Sequence, residues 1–288
     1  NKTDVSFLDH LIYGEKKNHI SVPVNSFTLK ENELEYEPYN STYLKKLKFS
    51  ELEGSSPNAY SYVRVFYLGT DKYGRDLLSR LMVATRISLD VGFISVFISL
   101  VIGITLGLIS GYYGSWVDKT IMWLINVIWS IPTLLMVIAI SLALGKGFWQ
   151  VYIAVGLTMW VEVARIVRGQ VLTIKNQEYV LAAQAMGVSN IQMFRKHIFP
   201  NILGPIAVYA TLTIPQVMLL EAFLSFLGLG IQPPMSSWGT LIRYGVESME
   251  EYSWLLIYPG LTFTITLFAL NFFGDGLRDA LDPKISSD

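Results

Sequence analysis

From Ser88 onward the chain contains five apolar runs, at residues 88–111, 120–144, 148–168, 203–224 and 254–274. Each run is close to the roughly 20 residues that an α-helix needs to cross the hydrocarbon core of a bilayer. The runs therefore predict an all-α polytopic membrane protein, with residues 88–274 as its transmembrane domain and five visible spans. Only Gly145-Lys146-Gly147 separates the second run from the third, so we expect a tight hairpin there.

The bulk composition supports this fold class and excludes several functions. Of the 288 residues, 52% are hydrophobic and 16% are charged, whereas soluble domains carry about 25% charged residues. A net charge of −1 gives no case for nucleic-acid binding, which would call for a basic patch. Because the chain has no cysteine, it holds no disulfide, thiolate metal site or cysteine nucleophile.

The residues before the first run have a different character. Residues 1–68 are polar, and apolar and polar side chains alternate in 19–29 and 59–67, a period that predicts short strands. We interpret residues 1–68 as a small extracytoplasmic segment. In residues 69–87, one helical face is apolar, which predicts an amphipathic helix lying in the membrane interface. The residues of that face are Leu77, Leu78, Leu81 and Met82.

Lysine and arginine residues set the expected orientation. Five of them lie between the third and fourth runs: Arg165, Arg168, Lys175, Arg195 and Lys196. Positive residues concentrate in cytoplasmic loops, so we place loop 169–202 in the cytoplasm. Counting spans from there puts residues 1–87 outside and the tail 275–288 inside. An outside N-terminal segment without a signal peptide needs a helix to carry it across, so we expect a sixth span before Asn1.

Small residues recur at every fourth position of the first run. They are Ser95, Ser99, Gly103, Gly107 and Gly111. Small side chains at this spacing form a groove along one helix face, which lets a second helix approach closely. Glycine is also common in membrane helices generally, but five residues in register favour a packing seam.

No constellation of residues predicts catalysis. Two of the three histidines are predicted outside and one inside: His10, His19 and His197. The chain has no G-x-S-x-G elbow and no H-E-x-x-H pair. Gly145-Lys146 is similar to the end of a Walker A loop, but Ile140 and Gly147 stand where that loop needs Gly and Ser or Thr. We therefore predict no catalytic residue, no metal site, no cofactor and no nucleotide hydrolysis by this chain.

The cytoplasmic loop contains the pattern Ala182-Ala183-x-x-x-Gly187. Helices commonly end at a glycine, so the pattern alone has an ordinary structural explanation. Its place between two spans favours a docking role, in which both alanines leave a shallow spot for a partner surface. Gly187 would permit a sharp reversal between two short helices, with a positive φ. The candidate coupling residues are Glu178, Ala182, Ala183, Gly187, Arg195 and Pro200.

A series of motifs in fixed order is similar to those of the peptide/nickel-type permeases of ABC importers. The motifs are Leu68-Gly69-Thr70-Asp71, Gly74-Arg75-Asp76, Ile131-Pro132, Arg168-Gly169-Gln170, the loop above, Glu221 to Gly230, Gln232-Pro233-Pro234, Ser237-Trp238-Gly239, Pro259-Gly260 and Gly274 to Pro283. The resemblance covers residues 66–284 and is greatest to the C-type permease of dipeptide and oligopeptide importers. One departure is Leu181, where the family has Glu at the head of its "EAA" motif.

The resemblance implies a type I ABC importer permease in the inner (plasma) membrane of a prokaryote. Its partners would be a homologous second permease, two cytoplasmic ATPases and an extracytoplasmic substrate-binding protein. The ATPases would bind ATP and Mg, and the cytoplasmic "EAA" loop would dock into them. The imported solute would be a peptide, with nickel or another small solute as the alternative. A channel or secondary transporter, working without ATPases, is the rival of a different class.

Glu162 and Glu221 are carboxylates within the predicted spans. Glu162, beside Arg165 near the cytoplasmic end of its span, is interpreted as one half of an interfacial ion pair. Glu221 lies near the outer end of the fourth span. Since a charge at the bilayer centre costs about 2.5–3.5 kcal/mol, we expect Glu221 to face protein or a water-filled cavity. Whether it contacts substrate or ties helices together stays open, with the structural role favoured.

Overall fold

The computed structural model describes residues 22, 24–30, 33–38, 41, 43–52, 65–145 and 147–281. These residues divide into two compact units, with the boundary between Leu78 and Ser79. The first unit contains a small sheet and a turn, and the second is built from α-helices.

The sheet of the first unit has three antiparallel strands in the order β1-β2-β3: β1 (Val24–Leu29), β2 (Glu33–Pro38) and β3 (Lys45–Lys48). A 3-10 helix, Phe49–Glu51, follows β3. The strand predicted at 19–29 thus exists where it is described, as β1. Most of the strand predicted at 59–67 lies outside the described residues.

The middle strand holds this small sheet together. Leu34 and Tyr36 on β2 are buried. Glu35, which points to the opposite face, pairs with Lys30 at 2.5 Å and with Lys46 on β3 at 2.9 Å. Hydrogen bonds from these two ammonium groups hold the pKa of Glu35 below its ordinary value.

A tight turn precedes the first long helix. Asp71 Oδ1 accepts hydrogen bonds from the backbone N–H groups of Tyr73 (2.9 Å) and Arg75 (3.0 Å). Helix α1 then runs from Leu77 to Tyr113 without a break. The prediction of a separate amphipathic helix over 69–87 is therefore wrong in its bounds, because a side-chain-closed turn occupies its first half and α1 its second. The interfacial placement stays a prediction.

The second apolar run forms two helices, α2 (Ser115–Trp129) and α3 (Thr133–Leu144), which are bent by 89° at their junction. The prediction of one span over 120–144 needs this correction. Proline lacks an N–H donor and disfavours helical geometry in the residue before it. Pro132 therefore ends α2 and begins α3, and the sequence signal for the bend is Ile131-Pro132.

The remaining elements are α4 (Phe148–Lys175), α5 (Glu178–Ala185), α6 (Asn190–Met193), a π-helical turn (Phe194–Ile198), α7 (Phe199–Phe226), α8 (Trp238–Glu247) and α9 (Trp254–Leu281). Among the described residues, four helical stretches are long and apolar enough to cross a membrane, and the bent pair α2–α3 raises the number to five. The apolar window of α4 is 61% buried, against 17% for α9. Helix α4 is therefore the central helix of this unit.

The small-residue seam of α1 lies directly against α4. Ser95 Oγ and Ser99 Oγ donate hydrogen bonds to backbone carbonyls of α4, at 3.3 and 2.9 Å. A Cβ atom on Gly107 would lie 2.8 Å from the Cβ of Val167, and one on Gly111 would lie 2.8 Å from that of Val171. Gly103 makes an equally close approach to α4, 2.7 Å from a backbone oxygen. Such spacing leaves no room for side chains, so the seam sets the α1–α4 distance.

Candidate functional site

The loop between α4 and α7 folds back onto the ends of both helices. Four of its side chains are buried and join an apolar cluster that includes Val171 and Ile174 of α4 and Ile202 of α7. We call these four residues the buried face of the loop: Val180, Ala183, Met193 and Ile198. Because this face packs on two long helices at once, the loop is a rigid extension of both.

Gly187 ends α5 in a left-handed conformation. Its φ is +79°, which confirms the predicted positive φ. The N–H of Val188 donates to Ala183 O at 3.2 Å, and the N–H of Gly187 donates to Gln184 O at 3.0 Å. These two bonds form the Schellman motif, which terminates helices at a glycine. Val188 also packs against the apolar cluster. The reversal after α5 is therefore fixed both by the hydrogen bonds at Gly187 and by the packing of Val188.

The chain then enters α7 with little interruption. Ser189 caps α6, its Oγ accepting a hydrogen bond from the N–H of Gln192 at 3.4 Å. Asn201 Nδ2 donates to His197 O at 2.6 Å and to the hydroxyl of Tyr179 at 3.3 Å, which links α5 to the start of α7. Arg195 and Pro200 are exposed on the surface of this stretch.

Two contacts tie the loop to α1. The Tyr112 hydroxyl donates to Asn190 Oδ1 at 2.7 Å. Lys175 Nζ, at the end of α4, donates to Tyr112 O at 2.8 Å. The last turn of α1, the last turn of α4 and the first turn of α6 therefore meet at Tyr112.

An ion pair links α2 to α4 near the same end. Arg168 Nε and Nη2 donate to the two carboxylate oxygens of Asp118, each at 2.6 Å. Ser110 Oγ of α1 donates to the same carboxylate. A two-pronged arginine–carboxylate pair fixes orientation as well as distance, so three helices share one polar contact.

Other apolar side chains of the loop are exposed. We call this set the exposed face of the loop: Tyr179, Leu181, Met186 and Ile191. Met186 is 78% exposed and Ile191 is 80% exposed. Ala182 is exposed with them, and Glu178 is exposed in the first turn of α5. Several large exposed apolar groups on one short segment are typical of a protein–protein contact.

The expectation that both alanines lie on a docking surface is wrong for Ala183, which is 4% exposed. Successive residues of an α-helix point about 100° apart, since the helix has 3.6 residues per turn. Ala182 and Ala183 therefore point in different directions. Ala183 packs inward among the cluster residues, and its small size lets α5 lie close to α4 and α7.

Glu221 is fully buried at a junction of three helices. Its carboxylate accepts hydrogen bonds from Ser225 Oγ at 2.5 Å and from Ser88 Oγ of α1 at 3.4 Å. The Trp238 N–H at the start of α8 donates in turn to Ser88 Oγ at 3.2 Å. Ser237 Oγ donates to Ser225 Oγ at 3.1 Å. Of the two roles left open for Glu221, this enclosure favours the helix tie over contact with substrate.

Glu162 does not form the predicted ion pair with Arg165. Its carboxylate accepts a hydrogen bond from the Tyr209 hydroxyl of α7 at 2.8 Å. The Arg165 guanidinium instead lies over the Trp129 ring, 3.8 Å from its centroid, and donates to Asn126 at 3.3 Å. Helix α2 lies along α4 and so brings the Trp129 ring to Arg165, and an aromatic face competes for a guanidinium.

Sequence reasoning missed the polar contacts between distant positions. Asp118 and Arg168 are 50 residues apart, and nothing in either local pattern marks them as partners. It also missed Asp90, a carboxylate inside the first apolar run that lies 3.9 Å from Arg86. The signal for Asp90 is its i, i+4 spacing to an arginine on the same helix.

The family model for "Binding-protein-dependent transport system inner membrane component" matches residues 103–287. The chain belongs to this family. The match includes the loop, the packing seam from Gly103 onward and both carboxylates of the later spans. The chain is therefore a multi-pass inner-membrane permease subunit of an ABC importer, the class of transporter in which ATPases and substrate-binding proteins are the permease's partners.

Curated relatives narrow the type of permease. The oligopeptide transport system permease protein OppC of Haemophilus influenzae is 50% identical over 218 residues, which are 76% of this chain and 70% of that protein. OppC of Bacillus subtilis is 46% identical, over 76% of this chain and 72% of that protein. The dipeptide transport system permease protein DppC of Bacillus subtilis is 44% identical, over 76% and 69%.

Solved structures agree on the fold. A chain of the MetNI methionine ABC transporter in an inward-facing conformation superimposes with a TM-score of 0.59 at 20% identity. The superposition covers 72% of this chain and 98% of that chain. At this identity the likeness shows the fold alone, that of an ABC importer permease.

Proposed function

We propose that this chain forms half of the membrane path of a peptide importer driven by partner ATPases. The observation that carries the proposal is the 44–50% identity to oligopeptide and dipeptide permeases over three quarters of the chain. The names of these relatives favour peptides over nickel or another small solute. In this proposal the chain hydrolyses no nucleotide itself, and its path is completed by a homologous second permease.

The loop is proposed as the mechanical link to the ATPases. Its exposed face supplies apolar anchors, with Met186 and Ile191 the most prominent. Its buried face is continuous with α4 and α7, and Tyr112 joins α1 to the same point. A displacement of the exposed face by a partner would therefore move three long helices together. Glu178, Arg195 and Pro200 border this surface and complete the proposed coupling residues.

The proposed orientation places loop 169–202 and the tail 275–288 in the cytoplasm and residues 1–68 outside. Because the chain has no cysteine, single cysteines report this directly. Ser26→Cys should react with a membrane-impermeant maleimide in intact cells, and Gln184→Cys should react only after the membrane is opened. Reaction of Gln184→Cys from outside would reverse the orientation and remove the proposed docking role.

The central experiment is purification of the tagged chain from its source membrane. We expect two ATPase subunits and a second permease to accompany it, and we expect ATP hydrolysis that rises when a peptide-loaded binding protein is added. A channel or secondary transporter, the rival class, would purify without ATPases. Uptake of a radiolabelled peptide into proteoliposomes that depends on internal ATP then separates peptide transport from nickel transport.

A further inference from the structure

Helix α4 carries a carboxylate toward the cytoplasmic end of its predicted span, on a side that the chain itself leaves exposed. Glu162 is the fifteenth of the 28 residues of α4. Its hydrogen-bond partner is the neutral hydroxyl of Tyr209, and within the described ranges no ion pair neutralises it. Charged groups inside a membrane span face a protein interior or a water-filled cavity and mark solute paths.

A small, open cleft with a free volume of about 20 Å³ lies beside this carboxylate, where the bend between α2 and α3 faces α4. Its lining includes Thr133 and Met136 from α3 together with Thr158 and Met159 from α4. A volume of this order holds one group of about the size of a water molecule, such as an ammonium group. Methionine side chains adapt to partners of different shape. The cleft therefore combines one fixed negative charge with flexible side chains that can accommodate bound groups of different shape.

We propose that Glu162, Tyr209 and this cleft form a subsite for the protonated amino terminus of the transported peptide; this rests on the proposed function of peptide import. Peptides of any sequence share one cation, the α-ammonium group, while their side chains differ. A carboxylate that accepts one hydrogen bond from Tyr209 keeps further acceptor sites for ammonium donors. The hydroxyl of Tyr209 fixes the carboxylate in place, and the threonine and methionine side chains border the space that the ammonium group would occupy.

Arg165 does not cancel this charge. Its guanidinium is held over Trp129 and by Asn126, one helical turn away from Glu162. Glu221, the buried carboxylate of α7, offers a contrast, because serine hydroxyls and the surrounding protein enclose it completely. Of these two carboxylates, Glu162 is the one with room for a ligand.

The test uses the whole importer with single cysteines in this chain, the other subunits having been freed of reactive cysteine. The probe is a tripeptide with a free amino terminus and an activated cysteine in second position, compared with its N-acetylated form. Met159→Cys, in the cleft wall, should form a disulfide with the free-amine probe about tenfold faster than with the acetylated one, the size expected from one charge-assisted hydrogen bond. Ile153→Cys, exposed on the same helix but outside the lining, should show no preference.

Adding Glu162→Gln to Met159→Cys should abolish the preference for the free amine while assembly and ATP hydrolysis stay normal. Equal rates for the two probes, or a preference that survives Glu162→Gln, would overturn the subsite. Loss of the second permease on purification of Glu162→Gln would also overturn it, because the carboxylate would then pair with a cation of that partner. If Met159→Cys does not assemble, Thr133→Cys on the facing wall serves as the reporter.

Failure of this inference is distinguishable from failure of the proposed function. A wild-type complex that imports peptide with ATP hydrolysis but shows no amino-terminal preference rejects the subsite alone. A wild-type complex that lacks ATPases or imports no peptide rejects the function itself.

Discussion

The two faces of the cytoplasmic loop differ in whether this chain covers them. The buried face (Val180, Ala183, Met193 and Ile198) is at most 4% exposed and packs on α4 and α7. The exposed face (Tyr179, Leu181, Met186 and Ile191) is 46–80% exposed and is just as apolar. Both lie on short helices that are too short to be stable alone. The comparison teaches that helices of this chain cover the buried face, whereas the exposed face is left for a partner to cover.

This division has measurable consequences, since changes on the buried face act on the subunit and changes on the exposed face act on the assembly. The following substitutions probe it in order of their expected effect on the subunit's own free energy of unfolding.

Ala183→Glu should have the largest effect. It places a carboxylate without a cation among apolar side chains, which we expect to cost about 3 kcal/mol or more. The matched control is Ala182→Glu on the neighbouring exposed position, expected to change stability by about 0.5 kcal/mol or less. Thermal unfolding of the purified subunit in detergent measures both. Equal unfolding temperatures for the two variants would contradict the assignment of the faces.

Gly187→Val should have the next largest effect. A β-branched residue resists φ of +79°, and a positive φ costs a residue with a side chain about 1 kcal/mol or more. No atom lies within 4 Å of a Cβ at this position, so the cost is conformational and not steric. We expect normal insertion and pairing with the second permease, but uncoupled transport.

The control for this position is Gly187→Asn, because asparagine tolerates the left-handed region better than other residues do. It should retain most transport. If Gly187→Val imports peptide at the wild-type rate, the loop is a passive linker.

Part of this picture could be predicted from sequence, and the limits have physical causes. Apolar runs locate α1, α4, α7 and α9 because membrane burial depends on composition along a single segment. The positive φ of Gly187 was also predictable, because the residues that end a helix are neighbours in the sequence. The bend at Pro132 was marked locally too, although the long apolar run around it favoured one continuous span.

The features that sequence could not predict depend on contacts between segments that are far apart along the chain. Arg165 has Glu162 one turn away, yet its guanidinium lies on the Trp129 ring, which the packing of α2 along α4 places there. The Asp118–Arg168 pair joins α2 to α4, two helices that α3 and the bend before it separate along the chain. Ala183 is buried because α5 docks on two other helices, and the pair of alanines alone could not say which one faces inward.

Tyr112→Phe should have a smaller effect on unfolding. It removes one hydrogen bond, from the Tyr112 hydroxyl to Asn190, worth about 1 kcal/mol, and keeps the backbone oxygen that Lys175 contacts. Because this bond joins α1 to the loop, we expect fewer peptides imported per ATP hydrolysed. Tyr113→Phe, on the exposed neighbour, is the control. An unchanged ratio in Tyr112→Phe would show that α1 follows the loop through packing alone.

Met186→Asp should leave the subunit's own stability nearly unchanged, within about 0.5 kcal/mol, because the side chain is 78% exposed and contacts little of its own chain. Its expected effect falls on the partner: a charged group in an apolar docking surface loses the buried contact and must be desolvated, so the ATPases should no longer accompany the chain through purification. Met186→Leu keeps the apolar volume and should retain them. If Met186→Asp unfolds at the wild-type temperature and still retains both ATPases, the exposed face is not where they dock, and the apolar surface around Met186 and Ile191 would need another partner.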